Sequence, residues 1–214
     1  MENFDEKLSE NQQRLIDASN VAGQCRRNWT YEKFDDSDLH TITTVATNMP
    51  TKQNVLNYEL VVSTNTQVNE EFYRVAFDKD VKFAPLNNGQ VNAPLLYIWC
   101  KSPSADYIMQ EKLQDHHLLN ISVGISSGAA VLAATYLGYE TGFCRCFLSN
   151  AVTNIIEQHT GIGNLSPILM LGVGHPKQNG KGKPIKRELC YLGDEQIKSA
   201  RKYDHKKIKK IHYI

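Results

Sequence analysis

Residues 120–139, NISVGISSGAAVLAATYLGY, contain no Lys, Arg, Asp, Glu or His, in a 214-residue chain of which 22% is charged. A helix of this composition has almost no face to turn to water, so it belongs in a core or an interface. Ser122 is expected to cap its start, and Gly138 to end it in the left-handed conformation that glycine adopts at little cost. The small residues Gly124, Ser127, Gly128 and Ala134 admit a second backbone, which points to a helix-to-helix contact. A membrane span competes, because Gly124-xxx-Gly128 has the spacing of a transmembrane packing motif. Against it, Asn120, Ser122, Ser126, Ser127 and Thr135 dilute a window that a bilayer requires to be nearly all apolar.

The length suits one substantial domain. With 24 basic and 23 acidic residues the net charge is +1, so no global field draws in nucleic acid or an anionic membrane, and anion binding falls to local basic patches. Cys25, Cys100, Cys144, Cys146 and Cys190 form an odd set without framework spacing, and the polar opening lacks an apolar signal core. A reducing cytoplasm is the expected compartment.

Residues 4–24 are helix-compatible and lead into Cys25-Arg26-Arg27-Asn28-Trp29. A basic pair at a helix end complements the helix dipole, and that explanation stands beside a role in anion binding. Ser37 is expected to cap a helix that runs to Thr47 and stops before Pro50. A polar loop over 48–54 precedes a strand at 58–63. Val68, Phe72, Val75 and Ala76 then mark an amphipathic helix, and a loop over 77–93 carries Asn87, Asn88, Gly89, Gln90 and Asn92. The apolar run 95–100 is predicted to be a buried strand. Leu113, His117 and Ile121 continue one helical face into the uncharged stretch. Beyond it the pattern predicts a strand over 143–148, a helix over 151–160 and a core strand over 168–173. Residues 177–187 hold five basic side chains, and the tail from 197 is basic, as a solvated surface or a mobile end would be.

The sequence has no G-x-G-x-x-G after a strand, and Gly180-Lys181-Gly182-Lys183 lacks P-loop spacing. Cys144-x-Cys146 is too tight for the usual zinc pair and has no second pair. No G-x-S-x-G elbow is present. Basic and amide side chains on separate loops around apolar strands suit an anionic, planar ligand, so a cofactor is expected to carry the chemistry, with no catalytic side chain and no metal.

Four anchors, 26–29, 49–54, 127–147 with its Ala-Ala-x-x-Leu-Gly-Tyr-Glu-Thr-Gly pattern, and 169–176, occur in the order in which the nitroreductase family carries them. The chain resembles the short members of that family of FMN-dependent oxidoreductases. The resemblance implies an α+β fold: a mostly antiparallel mixed sheet sandwiched by helices, in an intertwined homodimer with two FMN sites at the interface. It implies a flavin-binding domain over 1–190 and a basic extension over 191–214.

By the same resemblance, Arg26, Arg27 and Asn28 hold the FMN phosphate and ribityl end, with Arg187 and Lys186 as the second phosphate contact. Thr51, Gln53 and Asn54 reach the flavin of the partner subunit, with Lys52 as a nearby cation. Asn88 or Gln90 meets the pyrimidine edge. Cys144, Arg145 and Cys146 belong to the segment whose backbone N–H groups face the flavin N5 and O4. The implied activity is ping-pong: NAD(P)H gives a hydride to N5, and a nitroaromatic, quinone or flavin acceptor then takes its place. The alternatives are a flavin-dependent dehalogenase or flavin-fragmenting enzyme on the same fold, and a non-enzymatic flavin-binding interaction protein. Two positions depart from the family's pattern: Asn28 stands where Ser or Thr is common, and Arg145 where an acidic or small residue is frequent.

Overall fold

A computed structural model of the chain describes residues 8–23, 26–55, 57–77, 88–107 and 117–178. Its layers follow from one strand. Every residue from Leu95 to Cys100 is fully inaccessible, so both faces of the sheet that contains this run must be covered. The strands are β1 (Tyr58–Ser63), β2 (Leu95–Lys101), β3 (Glu140–Cys144) and β4 (Ser166–Gly174), in the spatial order β1-β2-β4-β3. All three pairings are antiparallel. The sheet therefore has the antiparallel character expected of it, and no parallel pairing of a mixed sheet occurs among the described residues.

Because side chains alternate across a strand, β2 serves two cores. Leu95, Tyr97 and Trp99 pack with Ile42 and Ala46 of α2 (Asp36–Thr47) and with Val123, Ala130 and Ala134 of α5 (Leu118–Tyr136). Leu96, Ile98 and Cys100 pack with Phe72 of α3 (Thr66–Val75) and with Val152 and Ile156 of α6 (Ser149–Thr160). Helix α1 (Glu10–Ala22) lies against α5, and a short turn of helix, α4 (Ala105–Tyr107), follows β2. The result is an α+β sandwich with helices on both faces.

Several boundaries differ from the pattern-based expectations. Asp35, not Ser37, caps α2: its Oδ1 accepts from the Ser37 and Asp38 amides at 2.7 and 3.3 Å, as a carboxylate at a helix N-terminus does. Helix α5 begins at Leu118, so Ser122 lies a turn inside it and accepts from Asn57 Nδ2 at 3.3 Å instead of capping. Its C-terminal end matches the expectation. Gly138 has φ +94°, its amide reaches the Thr135 carbonyl at 3.1 Å, and the Tyr139 amide reaches that of Ala134 at 3.0 Å, the paired bonds of a Schellman motif. The strand expected over 143–148 is β3, which ends at Cys144. Residues 145–148 leave the sheet because the Leu148 amide bonds the Val75 carbonyl at 3.0 Å, which sets α6 to start at Ser149.

The hydroxyls of α5 answer buried donors. The Trp99 indole donates to Ser126 Oγ at 2.8 Å, and that hydroxyl donates to the Ala46 carbonyl at 2.8 Å, so one serine joins β2, α5 and α2. Among the described residues α5 is long and apolar enough to cross a membrane, yet 56% of its apolar window is buried inside the fold. One stripe of α5 stays open: Ile121, Ile125, Leu132 and Tyr136 are exposed at 54, 42, 36 and 38%, with exposed Gly124 and Gly128 between them. Ser126→Ala strands the Trp99 N–H and the Ala46 carbonyl in the core. It should lower stability by about 2 kcal/mol, the cost of unpaired buried polar groups, read from urea unfolding.

Candidate functional site

Three segments far apart in the sequence meet along the β3–β4 pair. The first follows α1. That helix ends at Ala22 with Gly23 as its cap and has no basic residue in its last turn, so Arg26 and Arg27 lie beyond it and do not complement its dipole. The chain here runs beside the exit of β4: Trp29 pairs with Pro176 as an antiparallel bridge, the Thr30 amide donates to the His175 carbonyl at 2.8 Å, and the Lys177 amide donates to that of Asn28 at 3.0 Å. On its other side the Arg26 amide donates to the Thr141 carbonyl of β3 at 2.9 Å.

The second segment is 88–93. Its Gly89 carbonyl accepts from the Trp29 indole at 2.8 Å, Gln90 Nε2 donates to the Phe143 carbonyl at 3.1 Å, and Asn88 Nδ2 donates to the Cys146 carbonyl at 3.3 Å. Asn88 and Gln90 thus brace the third segment, 142–146. The packing requires glycine where the sheet meets these segments: a Cβ on Gly142 would strike the Arg26 carbonyl oxygen, and one on Gly172 would strike that of Gln90. Arg26, Arg27, Asn28, Asn88, Gln90, Cys144, Arg145 and Cys146 are therefore assembled around one backbone junction.

Their electrostatic states differ. Arg26 forms an ion pair with Glu140 in which both side chains are mostly buried, at 17 and 15% exposure. Glu140 was not singled out in the sequence, although it is the first charge after the uncharged stretch. Arg27 is half-buried and has no ion-pair or hydrogen-bond partner for its side chain among the described residues. Gln90 is 3% exposed and its Oε1 has no hydrogen-bond partner, an unanswered acceptor inside the assembly. Cys144 is buried, with its thiol 3.6 Å from the Cys146 carbonyl, whereas Cys146 and Arg145 are exposed. Tyr139, stacked between Phe34 and His175, has its hydroxyl pushed up to about 12 by burial and by its bond to Asp38, so it is no acid at neutral pH.

The other expected segment that is described, 51–54, lies between α2 and β1. Lys52, Gln53 and Asn54 form an exposed 3-10 turn between α2 and β1, with Gln53 and Asn54 at φ 55° and 56°. Two successive non-glycine residues in the left-handed region are uncommon. The Asn54 amide bonds back to the Thr51 carbonyl at 3.1 Å, and among the described residues no hydrogen bond ties Thr51, Gln53 or Asn54 to the junction. Lys186 and Arg187 lie outside the described residues, as does the expected domain boundary at 190.

Two clefts adjoin the junction. One, of about 700 Å³, is lined by Phe77, by Arg145, Cys146 and Phe147, and by the first turn of α6. The other, of about 460 Å³, is lined by Thr30, Glu32, Glu140 and His175 among others.

No family model matches the chain, and no curated protein does. Solved structures do match. A nitroreductase family protein from Clostridium novyi NT superposes with TM-score 0.58 over 77% of this chain and 87% of its own, at 18% identity. One from Streptococcus pneumoniae TIGR4 gives 0.57 over 80 and 94%, at 19% identity. Nitroreductase A from Vibrio parahaemolyticus RIMD 2210633 gives 0.59 over 88 and 82%, at 15% identity. The fold is that of the nitroreductases. Within this nitroreductase fold the junction depends on bare backbone at Gly172. Gly172→Ala should therefore cost roughly 1–3 kcal/mol or more through overpacking. Gly23→Ala, at a cap with φ −72° and no atom nearer than 3.7 Å to the added carbon, should be neutral or slightly stabilising. Thermal melts of the two variants side by side check the contrast.

Proposed function

We propose that this chain is an FMN-dependent NAD(P)H oxidoreductase of the nitroreductase family, acting as a homodimer on a small oxidised acceptor such as a nitroaromatic, a quinone or a flavin. The observation that carries the proposal is the convergence of 26–28, 88–90 and 144–146 on one junction of the nitroreductase fold. The donor and acceptor set suits FMN. The Arg27 guanidinium, without a partner among the described residues, offers a phosphate an opposite charge and a fork of donors. The unanswered Oε1 of Gln90 matches the ring N–H of a pyrimidine edge. Backbone amides of the 144–146 turn supply fixed donors for the rim of the ring, where negative charge develops on reduction.

When bound, the flavin supplies the redox chemistry, taking two electrons and a proton from NAD(P)H and passing them to the acceptor. The protein's share is to bind, orient and exclude water. Arg27, joined by Arg187 and Lys186, anchors the phosphate. Asn28 lies toward the ribityl chain. Arg26, with part of its charge already taken by Glu140, would stand beside the phosphate end, and Asn88 holds the 144–146 turn in shape through the Cys146 carbonyl. The exposed turn with Thr51, Lys52, Gln53 and Asn54 is assigned to the flavin of the partner subunit. The uncharged exposed stripe of α5 is assigned to the dimer contact, since apolar stripes of this kind mark interaction sites and Gly124 and Gly128 leave room for a second backbone.

Purified protein should be yellow and release FMN on denaturation; a colourless protein that takes up no FMN overturns the proposal. Arg27→Ala and Arg187→Ala should each weaken FMN retention about 10- to 100-fold, as loss of a charged hydrogen bond does, with an unchanged fold by circular dichroism. Ile125→Glu should convert a dimer to a monomer in sedimentation and lower FMN occupancy with it. A wild-type monomer removes the interface assignment.

A further inference from the structure

We propose that the cleft beside the 144–146 turn selects substrates that carry an oxyanion on a flat apolar body, and that Arg145 is the residue that reads the oxyanion. This rests on the flavin reading above and names the substrate class of the same site. Arg145 is exposed and sits between Cys144 at the end of β3 and the first turn of α6, in the wall of the cleft of about 700 Å³. The described lining holds Phe77 and Phe147 but no carboxylate. Among the described residues no acid pairs with Arg145. Among the described residues Arg26 is the arginine of the junction that has an ion-pair partner, and Glu140 neutralises it.

A guanidinium with its fork open takes a carboxylate or phosphate through two parallel hydrogen bonds, and aromatic rings beside it give a flat ligand apolar surface to cover. The two clefts differ in sign. Glu32 lines the smaller one and disfavours an anion there, Glu140 being offset by Arg26, whereas Arg145 is the charged residue in the described lining of the larger one. Selection of this kind is made by the side chain, and the backbone amides of the turn remain available to the flavin.

An acceptor's carboxylate and the phosphate that distinguishes NADPH from NADH present the same chemistry, so the test has an arm for each. Isothermal titration of the purified protein compares 4-nitrobenzoate with 4-nitrobenzamide, and NADP+ with NAD+. The anionic or more anionic member of at least one pair should bind about tenfold tighter or more. Arg145→Gln should erase that preference, and Arg145→Lys should keep part of it. Equal affinities within both pairs, a preference unchanged in Arg145→Gln, or no binding of 4-nitrobenzoate and NADP+ overturns the inference. Binding is read without turnover, so the two proposals fail separately. A protein without flavin that still shows the preference rejects the flavin reading alone, and a flavoprotein without the preference rejects the role of Arg145 alone.

Discussion

A strand with no exposed side chain on either face dictates most of this molecule. Once β2 is inaccessible from Leu95 to Cys100, a helical layer must lie on each side, and the layers sort by the parity of the strand: α2 and α5 with Leu95, Tyr97 and Trp99, α3 and α6 with Leu96, Ile98 and Cys100. Burying Tyr97 and Trp99 in turn demands polar partners in an apolar layer. Thr43 meets the Tyr97 hydroxyl at 2.9 Å, and Ser126 meets the Trp99 indole. Ser122 and Ser126 of the uncharged helix are therefore part of the core's hydrogen bonding. That is why the helix is at once apolar enough to resemble a membrane span and dotted with hydroxyls.

Much of the fold was legible in the sequence because periodicity decides it. The strand at 58–63 is found at those residues, and the uncharged stretch is a core helix that ends at Gly138, as its composition and its glycine indicate. Two of the misplacements occur where a bond outside the pattern intervenes. Asp35 outcompetes Ser37 because its carboxylate reaches two amides, and β3 gives way at Cys144 because the Val75 carbonyl claims the Leu148 amide. Neither bond has a periodic signature.

For the candidate site, residue types and order revealed which segments matter but not what each side chain is doing. Arg26 and Arg27 are equivalent in sequence. In three dimensions one is half of a buried ion pair with Glu140, and the other has no partner among the described residues. Asn88 and Gln90 are neighbouring polar loop residues on paper; folded, both donate to the 143–146 backbone, and Gln90 keeps a buried, unanswered oxygen. Such differences depend on cross-chain geometry, because Glu140 is 114 positions from Arg26 and meets it only after β3 has paired with β4.

The Schellman end of α5 joins a helix to a strand with no spare residue: the Tyr139 amide closes the helix and Glu140 opens β3. One extra residue at this joint would invert the alternation of β3. Thr141 would then move to where only the hydrogen of Gly142 fits against the Arg26 carbonyl, and the Phe143 ring to where Cys144 lies in the core. Chain length here is thus quantised. A variant of this chain can lengthen the surface loops around the junction, while the step from the uncharged helix to the strand must keep its residue count.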